Sequence, residues 1–319
     1  QVYDGFPGTH LTVDVHVKSI AHGDDSVRVT YVVDNQPASE ERVFTLTVEA
    51  PAPATHLSIP EPRAGWNVST RYVDRSVASW AALDDTMGTP GRSTPPLSFT
   101  AFGLPGIVDA HVQGWAEPPD IDAMADDDPR LTKDALEVAS VPLKVVGVVP
   151  ALPHPTRAVL IARLVDLARQ TCDLGWTTNP HVCASLDAYL RAPSPRLLGF
   201  LRAVSETRAR PGVLNDNAYW LLRSNAEIAR DFVDVASIRL TYVCDNSYRV
   251  GNSNYVPVTV RYQVDGTGEG GSITVPGRSS DEGAAPEASL TTRGVGMVRL
   301  LLGGRVIQTA ANGGTACQH

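Results

Sequence analysis

The spacing of apolar residues changes twice along this chain, and this change constrains the fold more than any other feature of the sequence. In residues 11–50, apolar and polar side chains alternate, first from Leu11 to Val17 and again from Val27 to Val33 after the turn sequence "HGDDS". A period of two residues is typical of a strand with one face in solvent, as in an antiparallel sheet. Further short segments of this kind, separated by stretches rich in proline and glycine, continue to about residue 150. They predict a β-sandwich.

A helical period replaces this alternation at about Pro155. In "TRAVLIARLVDLARQTC", Leu160, Leu164 and Leu167 fall on one stripe of a helix, with charged residues on its other faces. Three more helical segments are predicted at about 181–191, 195–208 and 215–232. Four short helices at such spacing indicate a compact antiparallel bundle.

The period returns to two residues from about Ser237. The clearest strand of the chain carries its alternating apolar side chains at Val256, Val258, Val260, Tyr262 and Val264. The ending "GMVRLLLGGRVIQTAANGG" predicts a hairpin that turns at Gly303 and Gly304, because a two-residue hairpin loop needs positive φ. The predicted fold class is therefore mainly β with an α-helical insert, and the predicted domains are residues 1–153, 154–234 and 235–319.

The helical segment resembles the FIMAH domain, a small helical bundle of secreted and surface-exposed bacterial proteins. The resemblance covers about residues 157–232 and rests on "VLIARLVDLARQ", "LDAYLRAPSPRLLGFLRAVSETRARPGVL" and "NDNAYWLLRSNAEIARDF". The segment with Cys172 and Cys183 departs from that pattern. By strand pattern and by "LPGIV" and "TAANGGTAC", the flanking halves are similar to the immunoglobulin-like modules of bacterial extracellular proteins. These resemblances imply two immunoglobulin-like β-sandwich domains around a FIMAH-like bundle, located outside the cell, and they imply no reaction.

Composition argues against two classes of partner. Charged residues make up 19% of the chain and the formal net charge is −8, whereas a nucleic-acid partner needs a concentrated Lys/Arg face. The longest nearly apolar run, "VASVPLKVVGVVPALP", is interrupted by Lys144 and by prolines, so insertion into a membrane is not expected. Because the chain begins at Gln1, we expect a secreted or surface protein whose signal peptide has been removed.

The four cysteines, Cys172, Cys183, Cys244 and Cys317, fall two in the helical segment and two in the last segment. Their even number and their distribution predict the disulfides Cys172–Cys183 and Cys244–Cys317, out of three possible pairings. A zinc site of Cys172, His181 and Cys183 with Asp173 is the alternative. It lacks the second pair of ligands that a tetrahedral site needs, so the disulfides are favoured.

Two clusters are candidate binding sites. The segment "EPPDIDAMADDDPR" gathers the carboxylates of Glu117, Asp120, Asp122, Asp126, Asp127 and Asp128. Such a cluster can bind Ca²⁺, although it lacks the glycine and the distal glutamate of a calcium loop, so a solvated acidic linker is the favoured interpretation and calcium the alternative. No other cofactor is predicted.

The second cluster is aromatic and consists of Trp66, Trp80 and Trp115 in the N-terminal sandwich. Exposed aromatic rings on a sheet can stack on sugars and would form a glycan platform. Buried aromatic rings are commoner in a sandwich core, because each ring removes a large apolar area from water.

Motifs of catalysis are weak or absent in this sequence. "GTGEGG" at 266–271 has the spacing of a dinucleotide loop, but a strand-like "SITV" follows it instead of a helix, so a hairpin loop is predicted. We find no G-x-S-x-G, no H-E-x-x-H and no phosphate loop, and the eight His residues are scattered.

These observations lead to a functional hypothesis and an alternative. The first is a secreted, non-enzymatic bacterial structural or surface protein that acts in adhesion or assembly, and that forms the subunit of a filament or surface layer. Its expected partners are further copies of itself or other surface proteins, and the N-terminal "QVYDGFPGTH" is a candidate arm for pairing with the sheet edge of a neighbour. The alternative is an extracellular carbohydrate-binding protein.

Overall fold

A computed structural model describes residues 10–23, 26–50, 56–62, 65–72, 75–82, 88–115, 140–192 and 194–317. Residue contacts divide the chain into two compact units. The first unit comprises residues 1–153, 171–178 and 210–224, and the second comprises residues 154–170, 179–209 and 225–319. The sequence predicts three domains, whereas these contacts distribute the helical residues over both units.

The elements follow the predicted order of strands, helices and strands, which confirms the predicted fold class. The strands before the helices are β1 (Val13–His22), β2 (Ser26–Asn35), β3 (Val43–Glu49), β4 (Trp66–Tyr72), β5 (Arg75–Ala82), β6 (Arg92–Ser93), β7 (Leu97–Phe102), β8 (Leu104–Gly114) and β9 (Ser140–Val149). The helices of the described residues are α1 (Arg157–Asp173), α2 (Pro180–Arg191), α3 (Leu197–Arg208) and α4 (Asp216–Asp231). The strands after them are β10 (Ile238–Cys244), β11 (Ser247–Asn252), β12 (Val258–Val264), β13 (Gly270–Val275), β14 (Glu287–Thr291), β15 (Val298–Leu302) and β16 (Arg305–Ala310).

The described residues of the first unit form two antiparallel sheets. In one of them β2 pairs with β1 on one side and with β6 and β7 on the other, and the second sheet has the order β4-β5-β3-β8-β9. The aromatic rings of Tyr31, Trp80 and Phe99 meet in the core with centroids 6.1–6.3 Å apart, and none of the three is exposed to solvent. The Tyr31 hydroxyl donates a hydrogen bond of 2.6 Å to the carbonyl of Val146 in β9, so it fastens the two sheets together.

Residues of α4 in this unit cover the outer edge of β1. The side-chain oxygen of Asn217 accepts a hydrogen bond from the Val17 N–H at 3.0 Å, and its amide nitrogen donates to the Val15 carbonyl at 3.0 Å. The side-chain amide therefore occupies the place that the backbone of a further strand would take. An edge strand satisfied in this way offers fewer free backbone groups to another chain.

The second unit has a smaller sandwich. Its sheets have the orders β10-β11-β14 and β13-β12-β15-β16, and all their strand pairs are antiparallel. The core between them is built from the alternating apolar residues that the sequence shows, with Val250, Val260 and Leu300 at 1% exposure or less. The predicted turn at Gly303 and Gly304 joins β15 to β16, with φ of 57° and 81° at the two glycines.

The start of α2 follows from local sequence. Asn179 is the N-cap, and its side chain accepts a hydrogen bond from the His181 N–H at 2.9 Å. Pro180 stands at the first helical position, where the missing N–H costs no hydrogen bond. Among the described residues no helix is long and apolar enough to span a membrane.

Candidate functional site

The three tryptophans do not form one surface. Trp80 is fully buried in the core of the first unit and Trp66 is 4% exposed, so both follow the favoured interpretation as core residues and the glycan-platform alternative does not hold for them. The hydrophobic effect explains this placement, because a ring on the inner face of a sandwich strand buries a large apolar area.

Trp115 is the tryptophan of this group that reaches solvent. It is 38% exposed, its ring meets the Phe44 ring edge to face with centroids 5.0 Å apart, and the Arg42 guanidinium lies 4.3 Å from its ring centre. This aromatic patch of Phe44, Trp115 and Arg42 has the chemistry to stack on an apolar sugar face and to donate hydrogen bonds at its rim.

The predicted calcium ligands Asp120, Asp122, Asp126, Asp127 and Asp128, together with Glu117, lie outside the described residues, so the acidic segment stays a prediction. Within the described residues no group of three or more His, Cys, Asp or Glu side chains is arranged to hold a metal ion.

The cysteines are oxidised. Cys244 is bonded to Cys317, with a Cα–Cα distance of 5.1 Å and a sequence separation of 73 residues, and this is the pairing that the sequence predicts. Cys172 and Cys183 are also in the disulfide form, and no described cysteine is free. The Cys244–Cys317 bond ties the C-terminal segment to the turn between β10 and β11, where the Cys317 N–H donates to the Asp245 carboxylate at 2.9 Å.

The glycine-rich "GTGEGG" segment forms the turn of the hairpin that joins β12 to β13, as the sequence predicts, and its last two glycines begin β13. Glu269 in this loop uses its carboxylate to accept the N–H groups of Arg293 and Gly294 at 2.9 Å each. The loop therefore binds a neighbouring segment of the second unit.

Sequence reasoning missed a buried polar network in the second unit. Asn254 is fully buried, and its side-chain oxygen accepts from the Arg157 guanidinium at 2.6 Å and from the Asp234 N–H at 2.8 Å. Its amide nitrogen donates to the side-chain oxygen of Asn252 at 2.8 Å, and the Asn252 amide in turn donates to the carbonyls of Val256, Val275 and Pro276. Arg157 also donates to the Phe232 carbonyl at the end of α4, so the network joins α1, α4 and the sandwich of this unit.

A second missed contact caps α3 from a distance. The N-cap residue of α3, Arg196, makes no side-chain cap, and the Asp281 carboxylate accepts the N–H groups of Leu198 at 3.1 Å and Gly199 at 2.7 Å instead. A carboxylate at this position satisfies two of the unpaired helix donors and interacts favourably with the helix dipole.

The same carboxylate accepts a hydrogen bond from the Tyr255 hydroxyl at 2.8 Å. Burial, supported by this hydrogen bond to Asp281, raises the pKa of Tyr255 to about 12. The segments "GNSNYVP" and "SSDEG" are rich in Asn, Ser and Asp, whose side chains often hydrogen-bond backbone groups. This composition is the sequence signal for the Asn254 network and for the Asp281 cap, although it does not identify the distant groups that are bound.

The space beside Asp281 is a cleft of about 300 Å³ that contains charged side chains of both signs, among them Arg202, Glu206 and Glu282. Arg196 pairs with Glu282 at 3.2 Å, and both side chains are exposed. The carboxylate of Asp281 already accepts hydrogen bonds from the first turn of α3. We therefore interpret this cleft as the place where the 278–282 segment is attached to α3.

His111 and Ser140 are the described His–Ser pair with a hydrogen bond, of 3.1 Å between Nδ1 and Oγ. Both side chains are buried, on β8 and β9, and their hydrogen bond links these two strands. We therefore interpret the pair as part of the packing of the sheet.

Comparison with known proteins gives structural neighbours alone. No family model and no curated protein matches the chain. An uncharacterized protein from Nocardia farcinica with an immunoglobulin-like fold is 21% identical, covers 45% of this chain and 99% of its own, and has a TM-score of 0.25. A type I cohesin–dockerin complex from Clostridium thermocellum is 13% identical and covers 35% of this chain and 88% of its own, with a TM-score of 0.21. A type I cohesin from Pseudobacteroides cellulosolvens is 13% identical, covers 45% and 96%, and has a TM-score of 0.22. Scores of this size carry no argument about function, and the FIMAH-like character of the helices has no support among these proteins.

Proposed function

We propose that this chain is a non-enzymatic structural protein of the bacterial cell exterior that acts in adhesion or assembly. The observation that carries the proposal is the Cys244–Cys317 disulfide, which closes a long segment of a β-sandwich unit. Disulfides of this kind form and persist in oxidising environments outside the cytosol. The oxidised state of Cys172 and Cys183 supports the same location.

The use of four polar side chains within the fold supports a structural role. Asn217 satisfies the edge of β1, Asn252 and Asn254 join helices to strands, and Asp281 caps α3. These hydrogen bonds connect segments of the chain to each other, and such internal contacts stabilise a scaffold. A filament or surface-layer subunit, held by contacts with further copies, is the finer form of this proposal.

Location and redox state test the proposal together. Cells that produce the native protein are treated with a membrane-impermeant alkylating reagent and a thiol trap before lysis, and the medium, wall, membrane and cytoplasm are then separated. We expect the protein in the medium or at the surface, with all four cysteines oxidised. Recovery from the cytoplasm with reduced cysteines would contradict the proposal. Electron microscopy of the native surface separates a polymer from a dispersed protein.

Carbohydrate binding is a second candidate, favoured by the aromatic patch of exposed Trp115 and half-buried Phe44 and Arg42. We expect tryptophan fluorescence to respond to one member of a polysaccharide panel. We expect Trp115→Ala to abolish binding of that polysaccharide, measured by calorimetry because the substitution also removes the reporting fluorophore. Phe102→Ala is the matched control, because Phe102 is an exposed aromatic side chain, 51% accessible, on β7 of the same unit. Equal binding by the two variants, or no response to any polysaccharide, would exclude this candidate.

A further inference from the structure

The edge strands of the described sheets differ in how well they are protected. Natural proteins protect edge strands with charged residues, prolines, bulges or covering segments. Asn217 covers β1, β9 carries Pro142 and Lys144, and residue Ser58 pairs with β7. The remaining edge strands have a charged residue, and in most cases also a register shift, as in β4 (Arg71), β6 (Arg92), β10 (Arg239), β14 (Glu287) and β16 (Arg305).

β13 is different. It forms the outer edge of the order β13-β12-β15-β16, and its sequence "GGSITV" has no charge and no proline. Its six residues pair with β12 without a register shift. None of the protective features of the other described edges is present in β13.

The alternation of an antiparallel pair identifies the backbone groups that β13 presents to its outer side. The Val264 N–H donates to the Glu269 carbonyl at 2.9 Å, so the next register pair, Gln263 with Gly270, is a non-hydrogen-bonded pair. Because such pairs recur at every second residue, the N–H and C=O groups of Gly270, Ser272 and Thr274 point away from β12. These six groups form the outward hydrogen-bonding edge of β13.

We propose that two copies of this chain associate through β13, which pairs with β13 of the second copy in antiparallel orientation about a two-fold axis at Ser272. This proposal rests on the proposed function, because it names the surface through which the copies of the chain would associate. Antiparallel pairing with Ser272 opposite Ser272 uses all three outward residues of each strand and forms six backbone hydrogen bonds. A shift of the register by two residues loses two of them.

Steric fit supports this register. It places Gly270 opposite Thr274 of the second copy and Gly271 opposite Ile273 of the second copy, so each branched side chain faces a glycine. The Tyr262 ring already covers Gly271, since a Cβ there would lie 2.8 Å from a ring carbon. Ile273 of the second copy would therefore add an apolar contact to this ring, as aromatic side chains do beside glycines in other sheets.

Charge does not oppose this pairing. The carboxylate of Asp265 at the hairpin end of β13 is already paired with Arg299 at 2.7 Å, and Arg278 beyond the other end donates to the carbonyls of Asp281 and Gly283. The strand itself is uncharged, so no like charges are placed opposite each other. A two-fold contact of this kind is closed, and it joins two four-stranded sheets into one continuous sheet.

Sedimentation velocity and equilibrium over a range of concentrations test the proposal on the intact chain. We expect a monomer of 34.1 kDa at low concentration and a shift toward twice this mass, with a dissociation constant on the order of 0.1 mM, because the interface is small. Hydrogen exchange at the amides of Gly270, Ser272 and Thr274 should slow as the dimer forms.

Two variants place a defined change on the axis. Ser272→Pro removes one donor from each copy and hence two of the six hydrogen bonds, which weakens association by roughly tenfold or more. Ser272→Lys puts two like charges opposite each other and should also weaken it. Ser289→Lys is the matched control, because Ser289 is an exposed residue of β14 in the other sheet of the unit, and it should associate like the unchanged chain.

Every result discriminates. A chain that stays monomeric at 1 mM, or a dimer that survives in Ser272→Lys, would overturn the proposal, and loss of the dimer in Ser289→Lys alone would move the contact to β14. If Ser272→Pro unfolds by circular dichroism, Ser272→Lys decides the result. A monomeric protein that is found oxidised at the cell surface removes this dimer and leaves the proposed location intact, whereas a reduced cytoplasmic protein that dimerises through β13 does the opposite.

Discussion

Asn254 offers the sharpest test of how the second unit is held together. Replacement by alanine removes the acceptor of the Arg157 guanidinium and of the Asp234 N–H, and it also removes a donor to Asn252. All of this occurs at a residue with no solvent exposure. Burial already lowers the pKa of Arg157, which indicates that its guanidinium is partly desolvated and depends on its remaining partners.

The magnitude follows from the partners that are left. A hydrogen bond to a charged group contributes about 1.5–3 kcal/mol, and an unsatisfied buried N–H costs about 1–3 kcal/mol. Arg157 keeps its contact with the Phe232 carbonyl, and water that enters the space of the lost amide offsets part of the cost. We therefore expect Asn254→Ala to lower the free energy of unfolding of the second unit by about 3–5 kcal/mol.

Thermal and urea unfolding followed by circular dichroism measure this change, under non-reducing conditions. For a unit of this size class, 1 kcal/mol lowers the melting temperature by about 2–4 °C, so a decrease of roughly 10 °C is expected in one of the transitions. Gln263→Ala is the control, because it removes a side-chain amide from an exposed strand position of the same unit, and it should change stability by less than about 0.5 kcal/mol. Equal melting temperatures for the two variants would refute the reasoning, since the buried network would then contribute no more than a solvated amide.

Three further changes test other parts of the structure. Tyr255→Phe should lower stability at neutral pH. The pKa of Tyr255 is raised in the folded state to about 12, so its contribution to the free energy of unfolding is complete below the unfolded pKa near 10 and falls as the pH rises from there toward 12. The difference in stability between the unchanged chain and this variant, measured by urea titration, should therefore shrink over that range. Replacement of Cys244 and Cys317 together by serine should cost about 4 kcal/mol in the chain-entropy model, and a melting temperature that does not change on reduction would contradict it. Asn217→Ala should destabilise the first unit by about 2–4 kcal/mol and promote aggregation through the uncovered edge of β1, as seen by light scattering; a variant that is as soluble and as stable as the unchanged chain would show that the amide does not protect that edge.

The periodicity of the sequence predicted the elements well because burial is periodic in both kinds of structure. Val258, Val260 and Val264 are buried on one face of β12, as their spacing indicates. The hairpin at Gly303 and Gly304 was predictable because positive φ restricts the choice of residue.

The role of the tryptophans was not predictable to the same degree. Alternation shows that a strand has two different faces. Which face points into the core depends on where the second sheet packs, and that sheet is built from residues distant in sequence. Trp80 packs against Tyr31 of another sheet, 49 positions away, and Trp115 follows the end of β8. The boundary between units was hidden for the same reason, since residues 171–178 and 210–224 belong by their contacts to the same unit as residues 1–153.

The amides of Asn217, Asn252 and Asn254 explain how a chain with few charged residues holds helices against strands. A side-chain amide donates and accepts at once, so it can replace a missing strand neighbour or join two backbone segments, whereas a carboxylate only accepts and an ammonium group only donates. Because these amides are neutral, their burial avoids the desolvation cost of an ion pair. Asparagine side chains thus bind backbone groups that would otherwise lack a partner. The outer edge of β13 has no such amide, and it also has no charge, proline or bulge, so it is available for pairing with another strand.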